Sequence, residues 1–462
     1  MIACSRPVPY IGLSVFTSFE RKITVTVATP LSHDSSILIV GGGTWGCSTA
    51  LHLARKGYRS VKVLDRYPVP SPISAGNDVN KIMELASVVD EADVGDSVSA
   101  KLLQAAYDGW LNDPVFKKHF HETGLIIAAT TPEAQHHMYE DNGNPGESPD
   151  WTPLNTKEEF RATMPKGVLT GDFPGWKGFW RKRGAGWVHA RKSMEDAAKE
   201  AERLGVTFIS GEQKGKVKSL LYEDGDVKGA ISTDGTQYRA GRTILSAGAC
   251  APEIFPMNHQ LRPTAWTLAH IKMTDEEVQM YKNLPVLFNV ERGFFMELDE
   301  DNNELKICDE HPGYCNWAEE GVSLPFARHQ VPREAEMRVR SFLRETMPQL
   351  ADRPFSFARM CWCADTPNRA FLISRHPDYA SLVLALGGSG HGFCHIPAIG
   401  GFIVDAMEDK LDPEMKETFK WRPETATERN WQDLQGRFGP DGSSRVMDLR
   451  TVNDWTTLEV RA

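Results

Sequence analysis

Apolar positions in this chain form unbroken runs, alternating runs and runs at helical spacing, and the order of the three carries the reading. Four aliphatic residues at 37–40 predict a parallel strand covered on both faces. The run breaks at Gly41-Gly42-Gly43-Thr44-Trp45-Gly46 and resumes at helical spacing through Ala50, Leu51 and Leu53, with Gly57 as the stop. Residues 61–65 predict the next strand. Two later apolar runs also end in glycine, at 243–249 and 382–393, and a helix is expected over 397–407. Residues 96–120 predict a helix with Leu102, Leu103, Ala106, Trp110 and Leu111 on one face, and 125–129 a strand. Residues 184–191 are expected to open a helix running through Ala197, Ala198 and Ala201 to Leu204. A strand follows at 206–209, and 217–221 with 229–231 alternate as a small antiparallel meander.

This pattern predicts an α/β chain with a Rossmann-type, discontinuous cofactor-binding domain and a second α+β lobe for substrate. The domain is expected over 35–90, 160–255 and 355–440. The aromatic-rich second lobe, with Trp266, Phe288, Phe294, Phe295, Tyr314 and Trp317, is expected over 91–159 and 256–354. Residues 1–34 are expected to be an unstructured or targeting extension, 140–155 an exposed loop, and 441–462 a tail.

The glycines sharpen the domain assignment. Gly41 permits a tight turn, Gly43 close approach of a pyrophosphate, and Gly46 helix-on-strand packing, with phosphate on the free N–H groups after Thr44 and Trp45. Asp65 lies 19 residues after Gly46, where a carboxylate accepts both ribose hydroxyls. A second bare-backbone contact at Ala247-Gly248 fits a flavin better than a nicotinamide. The proline-rich loop after Asp65 leads to Ser74, Asn80 and Lys81.

Among 462 residues, 41% are hydrophobic and 25% charged, as in ordinary globular proteins. A net charge of −10 without a dominant basic run argues against nucleic acid, and no stretch approaches the roughly 20 apolar residues of a membrane span. Eight scattered cysteines are too sparse for a disulfide framework, so a reducing, cytoplasmic setting is expected. The sequence ends Glu459-Val460-Arg461-Ala462, unlike a peroxisomal address. Cys308, His311 and Cys315 lack the further closely spaced pair of a structural zinc site, and no metal is expected.

Four motifs together are specific: the glycine fingerprint, 74–81, Cys361-Trp362-Cys363-Ala364-Asp365-Thr366, and Ser389-Gly390-His391-Gly392-Phe393. From about Ser36 to about Trp455 the chain resembles the fungal fructosyl amino acid oxidases (amadoriases), relatives of monomeric sarcosine oxidase. The resemblance implies FAD held through a thioether to Cys361, in a site that also includes Asp365, Gly390, His391, Gly392, Phe393 and Cys394. It places a flavin-proximal lysine at Lys81, a sugar-contacting glutamate at Glu310 and a substrate-carboxylate arginine at Arg437. His391 is expected to stabilise the anionic end of the reduced flavin. Cys394 stands where many relatives carry a second carboxylate-binding lysine.

The activity implied is oxidation of the C–N bond of a glycated amino acid by a monomer. Hydride passes to flavin N5, the imine hydrolyses to amino acid and glucosone, and O2 becomes hydrogen peroxide. A sarcosine, pipecolate or saccharopine type of oxidase is the alternative within the fold, and a flavin-binding sensor without turnover the alternative outside it.

Overall fold

The computed structural model describes residues 30–84, 97–141, 151–299, 301–310, 313–318, 321–427 and 446–458. Arg437, most of the N-terminal extension and the two ends of the C-terminal tail lie outside them. The first apolar run forms β1 (Ser36–Val40), followed by α1 (Thr44–Arg55) and β2 (Ser60–Asp65). These strands belong to a six-stranded sheet. Its order is Leu372–Arg375, Leu382–Leu386, Arg242–Leu245, β1, β2 and Thr207–Ser210, all parallel except the first. In register, Val40 pairs with both Leu64 and Leu245, and Leu245 with Leu384. The predicted glycine-ended runs therefore stop along one edge of one sheet, where α/β folds bind ligands.

One sequence expectation is corrected here. Residues 185–189 are not the start of a helix. After β3 (Asn80–Glu84), the chain returns as β4 (Ala185–His189), antiparallel to β3, and the helix begins only at Ala190. The five residues find their hydrogen bonds on a distant strand, a partner that local spacing does not reveal. Gly186 belongs there because a Cβ would sit 2.0 Å from the His121 carbonyl oxygen. The expected helix over 96–120 runs Ser97–Asn112, and the meander is present as Val217–Glu223, Asp226–Ser232 and Gln237–Arg239.

The second lobe is built on a ten-stranded sheet. Its central strand, β5 (Arg262–Lys272), pairs with β6 (Glu304–Asp309) and with β7 (Phe355–Asp365). Leu125–Ala129, Trp151–Leu154 and Lys177–Arg181 extend the same sheet, the last from within the 160–255 stretch. The helix Arg333–Thr346 covers one face through Val339, Phe342 and Leu343, all buried. A separate core under the first sheet joins Ile37 and Ile39 to Ala50, Leu51 and Leu53 of α1. Each sheet thus has its own core, and β7 and the loop after Asp65 bring the two together.

Candidate active site

The cofactor cleft opens at the N-terminus of α1. Gly43 is the N-cap, no side chain caps the helix, and the first turn holds no acid, so its N–H groups are free for an anion. Gly41 has φ +108°, and a Cβ there would lie 2.4 Å from the Ser246 carbonyl oxygen. At Gly46 a Cβ would lie 1.9 Å from the Gly41 oxygen, so that glycine serves packing and is not part of the cleft wall. The nearest atom to a Cβ on Gly43 is Ser74 Oγ at 3.6 Å, which leaves the backbone bare toward the cleft. At the end of β2, Asp65 accepts hydrogen bonds from Gly42 N at 2.8 Å and Tyr67 N at 2.9 Å. Burial raises its carboxyl, opposed by those two bonds.

Thr44, Trp45, Ser74, Ala247, Gly248, Gly390, Gly392 and Phe393 complete the wall with Gly41, Gly43 and Asp65. Trp45 Nε1 donates to the Gly392 oxygen at 3.0 Å and locks the first glycine turn to the last. Ser74 Oγ accepts from Gly76 N at 3.2 Å. The cradle of bare backbone, helix end and terminal strand acid fits an FAD. Asn80 and Asp365 stand behind it: Asn80 is buried, its side chain donating to the Glu297 carbonyl at 2.8 Å, and Asp365 is buried next to the wall residue Ala364.

Cys361, Cys363 and Lys81 line both this cleft and an adjoining cavity of about 870 Å³, a size suited to a small-molecule ligand. The alternation of β7 puts both cysteines on one face, opposite Trp266 and Thr264 of β5. Cys361 Sγ lies 3.8 Å from the Ala75 oxygen. Lys81 Nζ is 2.7 Å from Asp78 Oδ2. Burial works most strongly against the lysine's charge, but the charge and hydrogen bond of the Asp78 carboxylate lead the contributions that together hold Lys81 above its ordinary value.

Trp266, Phe288, Phe294, Cys308, Glu310, His391 and Cys394 line the second cavity. Glu310, one residue beyond β6, is buried at 5% exposure. His391 has Nδ1 3.1 Å from the Ser389 oxygen and its ring stacked on Phe371. Cys394 Sγ donates to the His391 oxygen at 3.1 Å. The half-buried thiol opens on the cavity, and loss of solvation and then Glu84 push it up to about 12.

The structure thus gathers Lys81, Glu310, His391 and Cys394 around one cavity, with Cys361 at its border with the cleft. Three residues escaped the sequence reading. Asp78 lies inside the 74–81 segment already singled out, and Glu84 three residues beyond Lys81. Lys306 is buried in β6 between Leu305 and Ile307, and a lysine inside an apolar strand was a visible signal.

Comparison with known proteins agrees with this geometry. The model of the FAD dependent oxidoreductase family matches residues 36–406. The solved structure of fructosyl amine:oxygen oxidoreductase (amadoriase I) from Aspergillus fumigatus is 56% identical, with a TM-score of 0.90 over 93% of this chain and 99% of that one. The fructosamine oxidase amadoriase II of the same organism, solved in complex with FSA, is 53% identical with a TM-score of 0.89, over 93% and 99%. L-saccharopine oxidase of Schizosaccharomyces pombe is 28% identical over 86% of this chain and 95% of its own length. With its two large sheets, bare-backbone cleft and adjoining cavity, the chain belongs to the FAD dependent oxidoreductase family and, within it, groups with the amadoriases.

Proposed function

We propose that the protein oxidises the C–N bond of fructosyl amino acids, with FAD attached through Cys361. The observation that carries this reading is Glu310, a buried carboxylate in a cavity that shares Lys81 and Cys361 with the cofactor cleft. A carboxylate recognises polyhydroxy groups through strong charge-assisted hydrogen bonds, which a simple secondary amino acid does not need. Bound FAD supplies the two-electron acceptor and returns the electrons to O2, giving hydrogen peroxide.

The protein's own residues do the rest. Glu310 fixes the sugar, and the aromatic walls at Trp266, Phe288 and Phe294 exclude water from its reacting end. Lys81 holds a positive charge at the border of cleft and cavity. At ~4 Å and an effective dielectric of ~20 such a charge stabilises a developing anion by about 4 kcal/mol before screening. Arg437 captures the substrate carboxylate in this reading, and His391 supports the negative end of the reduced cofactor. Loss of two electrons and two hydrogens from the amine leaves an imine, and water releases the amino acid and glucosone.

The test is an acid-precipitated pellet inspected for yellow colour, with peroxide followed on fructosyl-valine, ε-fructosyl-lysine and sarcosine. Colour kept in the parent pellet and lost in Cys361→Ala, with peroxide from a fructosyl substrate, is the expected result. Peroxide from sarcosine alone moves the substrate, and a colourless pellet rejects the linkage. In Lys81→Met, recovery of colour on aeration is expected to slow far more than bleaching by substrate.

A further inference from the structure

Asp78 is 2% exposed and one of its oxygens serves two ammonium groups. Oδ2 lies 2.7 Å from Lys81 Nζ and 2.7 Å from Lys306 Nζ, while Oδ1 accepts from Val79 N at 2.9 Å. Lys306 also donates to the Asn80 carbonyl at 2.9 Å, and its own side chain is 2% exposed. The two lysines come from different sheets, Lys81 from β3 and Lys306 from β6. Arg359 stands near Asp78, with its guanidinium tied to the carbonyls of Pro72 and Ser74.

A buried carboxylate with one ammonium partner is a neutral pair, whose dipolar field fades with distance faster than that of a single charge. A second ammonium on the same oxygen changes the count: two positive charges against one negative leave one in excess. Of the two lysines, Lys81 lines both cleft and cavity, while Lys306 is buried on the strand that also carries Cys308 and leads to Glu310. The cost of burying three charges is large unless each is paired, and here each lysine finds the carboxylate.

We propose that Asp78 is a positioning residue for Lys81 and, with Lys306, forms a buried cluster of net charge +1 that attracts anions to the flavin-facing side of the cavity. Its oxygen holds Lys81 at the junction, and Lys306 keeps that carboxylate from cancelling the Lys81 charge. The inference rests on FAD occupying the cleft, and it does not depend on which amine is the substrate.

Sulfite titration of the yellow holoprotein tests it, since sulfite bleaches the visible band of oxidised flavoproteins and needs neither a sugar amine nor oxygen. Lys306→Met leaves Lys81 neutralised by Asp78, and sulfite affinity is expected to fall roughly tenfold or more. Adding Asp78→Asn to Lys306→Met again leaves one uncompensated lysine, and affinity is expected to return to within about threefold of the parent. Arg359 is unchanged throughout. A purely structural role predicts the opposite, because the second substitution removes a further contact from a buried cluster.

A double variant that binds sulfite no more tightly than Lys306→Met overturns the proposal. Should Lys306→Met not fold, Lys81→Met and its combination with Asp78→Asn repeat the same charge count with Lys306 as the remaining cation. The melting temperature and flavin-to-protein ratio of each yellow variant separate misfolding from lost affinity. A parent that bleaches with sulfite but releases no peroxide from fructosyl amines overturns the substrate reading and leaves this one standing.

Discussion

The cofactor cleft and the adjoining cavity share Lys81, Cys361, Cys363, Gly390 and Phe393, yet they are made of different material. The cleft is mostly main chain: glycine turns at the ends of parallel strands and the open N-terminus of α1, with one carboxylate. The cavity is mostly side chain, drawn from β3, β6, β7 and the loop through His391 and Cys394. A wall of bare backbone cannot be altered by exchanging functional groups, only broken by adding atoms. A wall of side chains can change its ligand one residue at a time while the neighbouring cleft stays intact. A common redox fold therefore serves fructosyl amine, saccharopine and sarcosine oxidases.

The largest effect comes from a single methyl group added at Gly46, which packs against the glycine turn that walls the cleft. In Gly46→Ala the new Cβ would lie 1.9 Å from the Gly41 oxygen, and both partners are backbone, so neither yields cheaply. Destabilisation of roughly 3 kcal/mol and loss of bound flavin are expected, read as melting temperature and flavin-to-protein ratio. A yellow, normally stable variant would break the distinction. On the cavity side, Glu310→Gln keeps the shape and removes the charge. We expect kcat/KM on fructosyl-valine to fall by about 2–3 kcal/mol, or some 30- to 150-fold, with flavin content unchanged. Loss of flavin in that variant would show that the two regions are not separable.

The same contrast explains what the sequence disclosed. Gly41, Gly43, Gly46 and Asp65 are near neighbours in the chain, and their spacing follows from a strand, a turn and a helix, so the cleft was legible. Glu310, His391 and Cys394 had to be placed by resemblance, because no local pattern brings β6 beside the loop at 390–394. The misread helix at 185–189 has the same cause: β4 is a strand because β3 is its neighbour. Asp78 and Lys306 lie far apart in sequence and act through one oxygen atom, so their relation exists only in the folded chain.

A titration distinguishes the regions next. His395 lines the cavity, is 4% exposed, and is pushed by burial from its ordinary 6.5 down to about 4, against a hydrogen bond to the Leu102 carbonyl. Its folded value lies below its unfolded one, so the unfolded chain binds the proton first. Stability is thus retained above about pH 6.5 and lost as pH falls toward about 4, by up to about 3 kcal/mol from this group. Melting curves from pH 7 to 4.5 should show His395→Gln losing less stability than the parent. Parallel slopes would remove His395 as a source of acid sensitivity.

The smallest effect concerns Cys394, at the position where the resemblance implies a carboxylate-binding lysine in many relatives. Cys394→Lys is the direct test, but the cavity has a competing acid. Glu84 lines the same wall, and burial raises its carboxyl, with Arg181 opposing. A new ammonium would be divided between Glu84 and the substrate carboxylate, so KM for fructosyl-valine is expected to fall by only about 0.2–1 kcal/mol, at most some fivefold, with kcat unchanged. Combining Cys394→Lys with Glu84→Gln frees the cation and should lower KM further than either change alone, a coupling that a double-mutant cycle reads directly. Additive effects would mean that Glu84 and position 394 do not meet the same end of the substrate. A coupling confined to α-glycated substrates would place the amino acid carboxylate at this wall, and with it the substrate selectivity of the cavity.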